Sequence, residues 1–280
     1  MKISIVTPSF NQREFLEDTI RSVVEQEYPD VEYFVIDGGS TDGSVDIIKK
    51  YCHRITYWTS EPDGGQYCAI NKGFSRSTGE IMGWINSSDA YYPWTFETVV
   101  EVFTQFPDVQ WISGVASNFD VGRAPRHIDI AFPNRYDFLA GNCTLQQESI
   151  FWRRSLWERA GAGLNESVKY AADTELWFRF FQLAPLYYVN TLLGGFRYHG
   201  DRRGECEGKY HNEVAAICER FVKNSSLQDR IRGALFAQMH HSGVALLRMI
   251  MQRVHLWSWD RCPQIVRDFD THTWKIRYSH

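Results

Sequence analysis

GEIMGWINSSDAYYP, residues 79 to 93, decides the fold. The turn glycine Gly79 leads into the apolar run Ile81, Met82, Trp84 and Ile85, short enough for a strand buried on both faces. The run stops in Asn86, Ser87, Ser88 and Asp89, followed by aromatics and Pro93. In an open α/β sheet, ligands sit just beyond the carboxyl ends of the strands. Small polar side chains ending a buried strand therefore read as a site rather than a surface loop.

Upstream the same pattern recurs. Ile3 to Thr7 form a β-rich run ended by Pro8, and Asn11 with Glu14 predicts a capping box for a helix carrying Phe15, Leu16, Ile20, Val23 and Val24 on one face. Tyr33 to Ile36 make a second strand, ended by Asp37-Gly38-Gly39-Ser40-Thr41-Asp42-Gly43 and followed by an amphipathic helix. Ile55 to Thr59 make a third, ended by Glu61-Pro62-Asp63-Gly64-Gly65-Gln66 and followed by a helix with Ala69, Ile70 and Phe74. This alternation predicts a parallel sheet with right-handed crossovers. The polar loops at Asp37, Asp63 and Asp89 then meet at one crevice.

Downstream come a helix around Phe96 to Phe106 and a fifth strand at Val109 to Ser113. After Gly114 the pattern turns irregular: the loop Gly141 to Glu148, a strand into Phe151-Trp152 and a helix from about Ala172 to Phe181 predict a mixed region covering the crevice. Strand-like runs at Leu186 to Asn190 and Leu192 to Tyr198 follow, and from Asn212 the chain reads as helical. The segment Leu227 to Val254 keeps a helical period, with apolar Ile231, Leu235, Met239, Leu246 and Ile250 and with Arg230, Arg248 and Arg253. It reads as a helix packed on the catalytic part; a membrane-surface helix or a homodimer helix is the alternative. The divisions expected are 1–114, 115–205 and a helical extension over 206–280.

Composition narrows the function. With 280 residues and 44% hydrophobic content the chain can bury a substantial core, and a net charge of −4 gives no general attraction to nucleic acid. The six cysteines are scattered without C-x-x-C or zinc spacing, as in a reducing compartment. A first strand beginning near residue 2 leaves no room for a secretory leader, so a cytoplasmic protein is expected, with peripheral attachment to the inner face of the membrane left open. There is no G-x-x-x-x-G-K-[ST] loop and no G-x-G-x-x-G, which argues against an ordinary NTPase or a dinucleotide enzyme. The ligand spacing of Asp37 to Gly43 fails for calcium.

A sheet edge of acidic and amide groups without a phosphate-cradling loop can hold a nucleotide by its base and ribose while a divalent metal takes the diphosphate. VTPSFNQREFLEDTIRSVVEQEYPDVEYFVIDGGSTDGS from Val6, SEPDGGQYCAINKGF from Ser60 and the stretch from Gly79 resemble glycosyltransferase family 2 in order. The resemblance covers roughly the first 200 residues. It implies the GT-A fold: a Rossmann-like, mostly parallel α/β sheet flanked by helices.

It also implies a nucleotide-sugar pocket from Thr7, Pro8, Phe10, Asp37, Gly38, Ser40, Asp63, Gln66, Asn71, Lys72, Asn86, Ser87 and Ser88. The family's metal motif, D-x-D or N-S-D-D, reads Asn86-Ser87-Ser88-Asp89 here. Ser88 holds the position of the usual carboxylate, so either Asp89 takes over as the ligand for Mn²⁺ or Mg²⁺, or the metal is held mainly by diphosphate, water and another side chain, or metal binds weakly. His199, from Phe196-Arg197-Tyr198-His199, is expected to reach the metal or diphosphate. Arg202 and Arg203 either clamp phosphate or sit in solvent. Gln147 and Glu148 resemble the acceptor-side loop.

Ala172-Asp173-Thr174-Glu175-Leu176-Trp177 resembles the segment bearing the catalytic base, an E-D pair in the family, with Glu175 and Trp177 on the acceptor side. Asp173 is the expected base; its bland reading is a carboxylate favoured at a helix N-terminus. The implied activity is inverting transfer of a sugar from a nucleotide diphosphate donor, a UDP-sugar, to a glycan or lipid-linked glycan, as in bacterial surface polysaccharide synthesis. The alternative is a non-catalytic nucleotide-sugar-binding protein, motivated by Ser88 and Ala172. A sugar nucleotidyltransferase would need a glycine-rich basic loop that VTPSFNQREF lacks.

Overall fold

The structure is a computed structural model describing residues 1–129, 133–139, 145–199, 202–241 and 262–278. Strands and helices alternate first: β1 (Ile3–Ser9), α1 (Arg13–Val24), β2 (Val31–Asp37), α2 (Ser44–Lys50), β3 (Tyr57–Ser60), α3 (Gln66–Phe74) and β4 (Ile81–Trp84). Shorter pieces follow: β5 (Ala90–Tyr91), α4 (Thr95–Gln105), β6 (Trp111–Ser113), β7 (Ala116–Phe119), β8 (Pro125–Asp129) and α5 (Arg135–Leu139). Then come β9 (Ile150–Arg153), α6 (Arg154–Arg159), α7 (Ala172–Leu183), β10 (Tyr187–Val189) and β11 (Gly194–Arg197). The chain ends in α8 (Arg202–Asn224), α9 (Leu227–His241), β12 (Pro263–Asp268) and β13 (Thr273–Tyr278).

One sheet of nine strands runs β13-β12-β10-β6-β9-β4-β1-β2-β3, and a second of four runs β5-β11-β7-β8. In the large sheet β9 opposes both β4 and β6, and β13 opposes β12; every other pairing is parallel. The predicted parallel α/β sheet is therefore present.

Because side chains alternate along a strand, each central strand feeds two cores. Ile3, Ile5, Tyr33, Val35 and Ile81 point to the layer of α1, α2 and α4, with Leu16, Ile20, Ile48, Phe96 and Val99. Val6, Phe34, Ile36, Met82 and Trp84 point to the layer of α3, α6, α7 and α8, with Ile70, Phe74, Leu156, Trp177 and Phe221. Gly73 lets α3 lie against β1, since a Cβ there would come within 2.6 Å of Val6.

Register places the site. Ser9 pairs with Asp37 and Asp37 with Ser60, while Trp84 pairs with Val6. The loops leaving these strands thus emerge at a single edge, as the sequence predicts.

Two expectations are corrected. The capping box at α1 is absent: Asn11 sits at φ 51° and its carboxamide oxygen accepts from the Thr41 amide at 2.9 Å, tying two loops together. The extension over 206–280 is helical in α8 and α9, but β12 and β13 form a hairpin that pairs with β10 and widens the sheet. Alternation in Pro263–Asp268 supplies the reason: Pro263 and Ile265 are buried while Gln264 and Val266 are half-buried. The continuation of the predicted helix to Val254, and Trp257 and Trp259, lie outside the described residues, as do the side chains of Arg202 and Arg203.

Candidate functional site

A cleft of about 600 Å³ opens at the carboxyl edge of β1, β2, β3 and β4. Its walls come from Pro8, Ser9, Phe10 and Gln12 after β1, Gly38 after β2, Pro62, Asp63, Gly65 and Gln66 after β3, and Asn86, Ser87 and Ser88 after β4. Ala69 and His199 complete it. Gly38 packs closely between two loops: a Cβ there would stand 3.3 Å from both the Asp63 carboxylate and the Phe10 ring. Phe10 is 59% exposed, an aromatic face offered at the rim. The Gln66 amide donates to Asn86 Oδ1 at 2.7 Å, bridging the third and fourth loops across the cleft.

Of the residues expected around a nucleotide, Pro8, Phe10, Gly38, Asp63, Gln66, Asn86, Ser87 and Ser88 line this cleft. Others are placed behind it. Thr7 is buried against the Tyr33 hydroxyl at 2.9 Å. Asp37 is fully buried, accepting from the amides of Gly39 and Ser40 and the hydroxyls of Ser40 and Ser60 at 2.5 to 3.1 Å. It organises the loop that presents Gly38. Asn71 braces Leu164 and Glu166, and Lys72 pairs with Glu61.

The acidic motif is also redistributed. Asp89 is fully buried; its carboxylate accepts the Arg197 amide at 2.9 Å and faces the Asn86 amide at 3.4 Å, while its carbonyl accepts from Thr19. The motif positions that line the cleft are Asn86, Ser87 and Ser88. His199 lines the cleft and stacks on Phe15 with centroids 4.6 Å apart. Among the described residues no three His, Cys, Asp or Glu side chains are grouped to hold a metal. A hard divalent cation wants several oxygen ligands including carboxylates, so a hydroxyl, amides and an imidazole beside a buried Asp89 do not fit a protein-built Mn²⁺ or Mg²⁺ centre. The expected ligand Asp89 is thus engaged by the Arg197 amide and is not among the residues that line the cleft.

Arg197, which the sequence reading passed over, holds this corner. It is 1% exposed, lies over the rings of Phe15 and Phe119, and donates to the carbonyls of Ser88 and Val121 and to Asp18. Burial raises the Asp18 carboxyl, but the bonds from Arg123 and Arg197 outweigh it and leave the pKa lowered. The signal for Arg197 was an arginine inside a strand between aromatics, which needs partners to be buried.

At the start of α7, burial drives the Asp173 carboxyl up to about 6, with the amide and hydroxyl of Thr174 pulling against it. Tyr67, the neighbour of cleft-lining Gln66, has its hydroxyl raised by burial and then by the Asp173 charge, which places the two groups within electrostatic reach. The expected acceptor-side residues are held by internal contacts. Gln147 donates to the Trp84 carbonyl at 2.6 Å, and Glu148 is buried. Glu175 is clamped by Arg179 and Arg220, and Trp177 stacks on Trp84 at 5.6 Å and Trp111 at 5.9 Å.

Known proteins share this arrangement of strands. The model of glycosyl transferase family 2 matches residues 4–162. An uncharacterized glycosyltransferase of Rickettsia typhi is 26% identical over 246 residues, spanning 82% of this chain and 74% of its own. S. aureus TarS 1-349 in complex with UDP-GlcNAc aligns with a TM-score of 0.68 at 16% identity, over 88% of this chain and 76% of that one. The mannosyltransferase PcManGT from Pyrobaculum calidifontis, in complex with GDP-Man and Mn²⁺, aligns with a TM-score of 0.55 at 16% identity, over 91% and 85%. The chain spans 45% of the longer TarS chain. At such identity the likeness is one of fold, the GT-A arrangement.

Proposed function

The chain belongs to glycosyltransferase family 2, and from that premise we propose that it transfers a sugar from a UDP-sugar to a hydroxyl of a glycan or lipid-linked glycan, with inversion, in bacterial surface polysaccharide assembly on the cytoplasmic side of the membrane. The observation that carries this reading is the convergence of four strand-end loops on one polar cleft rimmed by Phe10. UDP-GlcNAc bound to the TarS fold supports a uridine donor. In this reading Phe10, Gly38 and Asp63 take the base and ribose, while Asn86, Ser88 and His199 face the diphosphate. Among the described residues no helix is long and apolar enough to cross a membrane.

Asp173 is the base. Its carboxylate accepts the proton of the acceptor hydroxyl as that oxygen bonds to the anomeric carbon, and the bond from that carbon to the diphosphate oxygen breaks, its electrons leaving with UDP. A pKa near 6 keeps the group ionised at neutral pH yet basic enough to take a proton. One displacement opposite the leaving group inverts the centre. The carbon is made electrophilic by the departing diphosphate alone in this account; no metal step is assigned.

A thermal-shift panel of UDP, GDP, CDP and dTDP, each with Mn²⁺ or with chelator, tests the donor. A ligand at ~100 times its dissociation constant stabilises the fold by about 2.7 kcal/mol. UDP is expected to stabilise with and without chelator, followed by sugar transfer in a donor screen. No response to any nucleotide overturns the reading.

A further inference from the structure

Helix α7 carries Asp173 at its second residue but has no cap of its own. The residue ahead of the helix is Ala171, at φ −129° and ψ 33°, whose side chain can accept nothing. Ser, Thr, Asp or Asn ordinarily stands at such a position and takes up a free amide of the first turn. Here the acceptor comes from another helix. Half-buried Glu213 of α8 receives three successive amides on one carboxylate: Lys169 at 2.8 Å on one oxygen, and Tyr170 at 2.7 Å and Ala171 at 3.0 Å on the other. The next amide, that of Ala172, bonds to the Tyr67 hydroxyl. A carboxylate at this end of a helix is favoured by the helix dipole as well.

The rest of α7 is fixed without Glu213. Thr174 meets the Tyr210 hydroxyl at 3.3 Å, Glu175 is paired with Arg179 and Arg220, Trp177 stacks on Trp84 and Trp111, and Phe178 stacks on Phe221 at 4.7 Å. These anchors begin one residue after Asp173. Upstream, the chain arriving from α6 is held at Gly163 by Arg179 and at Leu164 by Asn71. Among the described residues, the acceptors of the amides of 169–171 are the two oxygens of Glu213. Asp173 thus stands where a firmly packed helix joins a short stretch whose path is set by one distant side chain. Glu213 itself does not line the cleft.

We propose that Glu213 is a positioning residue for Asp173, a role that rests on Asp173 being the base: by holding residues 169–171 it fixes where the carboxylate stands and keeps water from it. The first test needs no substrate. Burial raises the Asp173 carboxyl to about 6, in a corner shared with Tyr67 of α3 and with Tyr210 and Glu213 of α8. Ionising it weakens the fold as pH rises from about 3.8 through 6, so the gain in melting temperature from Asp173→Asn should grow over that range and level off above it. In a Glu213→Ala background water reaches the carboxyl, and the levelling point should fall by about one pH unit. A cap that only stabilises α7 would lower every melting temperature and leave that point unmoved, which would overturn the proposal. Should Glu213→Ala fail to fold, Glu213→Gln, which keeps one acceptor oxygen, is read in the same way.

The second test is sugar transfer, followed as UDP release from the UDP-sugar that the donor screen selects. Glu213→Ala should lower kcat by about tenfold or more while UDP affinity in thermal shift stays within about threefold, and Glu213→Gln should lose less. An equal loss of UDP affinity overturns the proposal. Transfer lost in Asp173→Asn but kept at the wild-type rate in Glu213→Ala overturns the positioning role alone. Transfer that survives Asp173→Asn overturns the reading of the base, and the positioning role with it.

Discussion

The end of β4 and the start of α7 are built on the same local change with opposite results. At each, a position where family 2 members usually carry an acid is uncharged, Ser88 and Ala172, and the next residue is an aspartate, Asp89 and Asp173. Asp89 is enclosed by donors, above all the backbone amide of Arg197. Among the described residues no cation pairs with Asp173, and burial raises its carboxyl to about 6. Donors favour the ionised form of a buried carboxylate; desolvation raises its pKa, as the proposed base requires. The pair can be pulled apart by substitution.

The largest expected effect is at α7. Asp173→Asn should lower kcat by about 10³-fold or more while UDP affinity, read by thermal shift, changes less than about threefold. Equal loss of both would place Asp173 in the donor cleft rather than at the proton. Next comes the β4 corner. Arg197→Met removes a buried guanidinium that holds Ser88, Val121 and Asp18, and should destabilise by about 3–5 kcal/mol in urea unfolding. Asp89→Asn, which keeps an acceptor but loses the charge, should destabilise by about 1–3 kcal/mol. A fall in kcat without a fall in stability at Asp89 would erase the contrast.

Acidity gives a subtler comparison. The folded pKa of Asp173 is raised above its unfolded value of 3.8, so its contribution to stability is fully present below about pH 3.8 and lost as pH rises through about 6. Asp173→Asn should therefore melt higher than wild type at pH 7.5, with the gain vanishing below about pH 4, and wild-type kcat should rise with an inflection near pH 6. Smallest is the change at Ser88. Ser88→Asp returns a carboxylate to the cleft and should create a Mn²⁺-dependent increase in UDP affinity of about tenfold, read by thermal shift, where wild type responds little to chelator.

Much of this was legible because strand ends are local. Apolar runs of four to seven residues broken by Asp, Gly and Ser mark the edge of a parallel sheet, and eight of the residues read as nucleotide contacts line the cleft. What the pattern could not separate is which polar residue of a loop faces outward: Ser88 and Asp89 are adjacent, and a single step along the chain turns one to the cleft and the other to Arg197. Trp177 and Glu175 are ambiguous for a related reason, since an aromatic or a carboxylate on a helix reads as site or core until its neighbours, here Trp84, Trp111, Arg179 and Arg220, are known. The final hairpin was missed because its pairing partner, β10, is more than seventy residues earlier.

The order of the large sheet also sets a timetable for its assembly. Strands β4, β1, β2 and β3 are contiguous in the sheet and all lie within residues 3 to 84, whereas β9, from residue 150, separates β4 from β6. The first wing can therefore form while the chain is still being synthesised, but β6 has no seat beside β4 until β9 arrives, and the far edge waits for β12 and β13. Pulse-labelled hydrogen exchange during refolding should protect the amides of β1 and β2 before those of β6 and β10. The cleft loops after β1, β2, β3 and β4 thus belong to the early wing, and α7, which carries the proposed base, comes later in the chain.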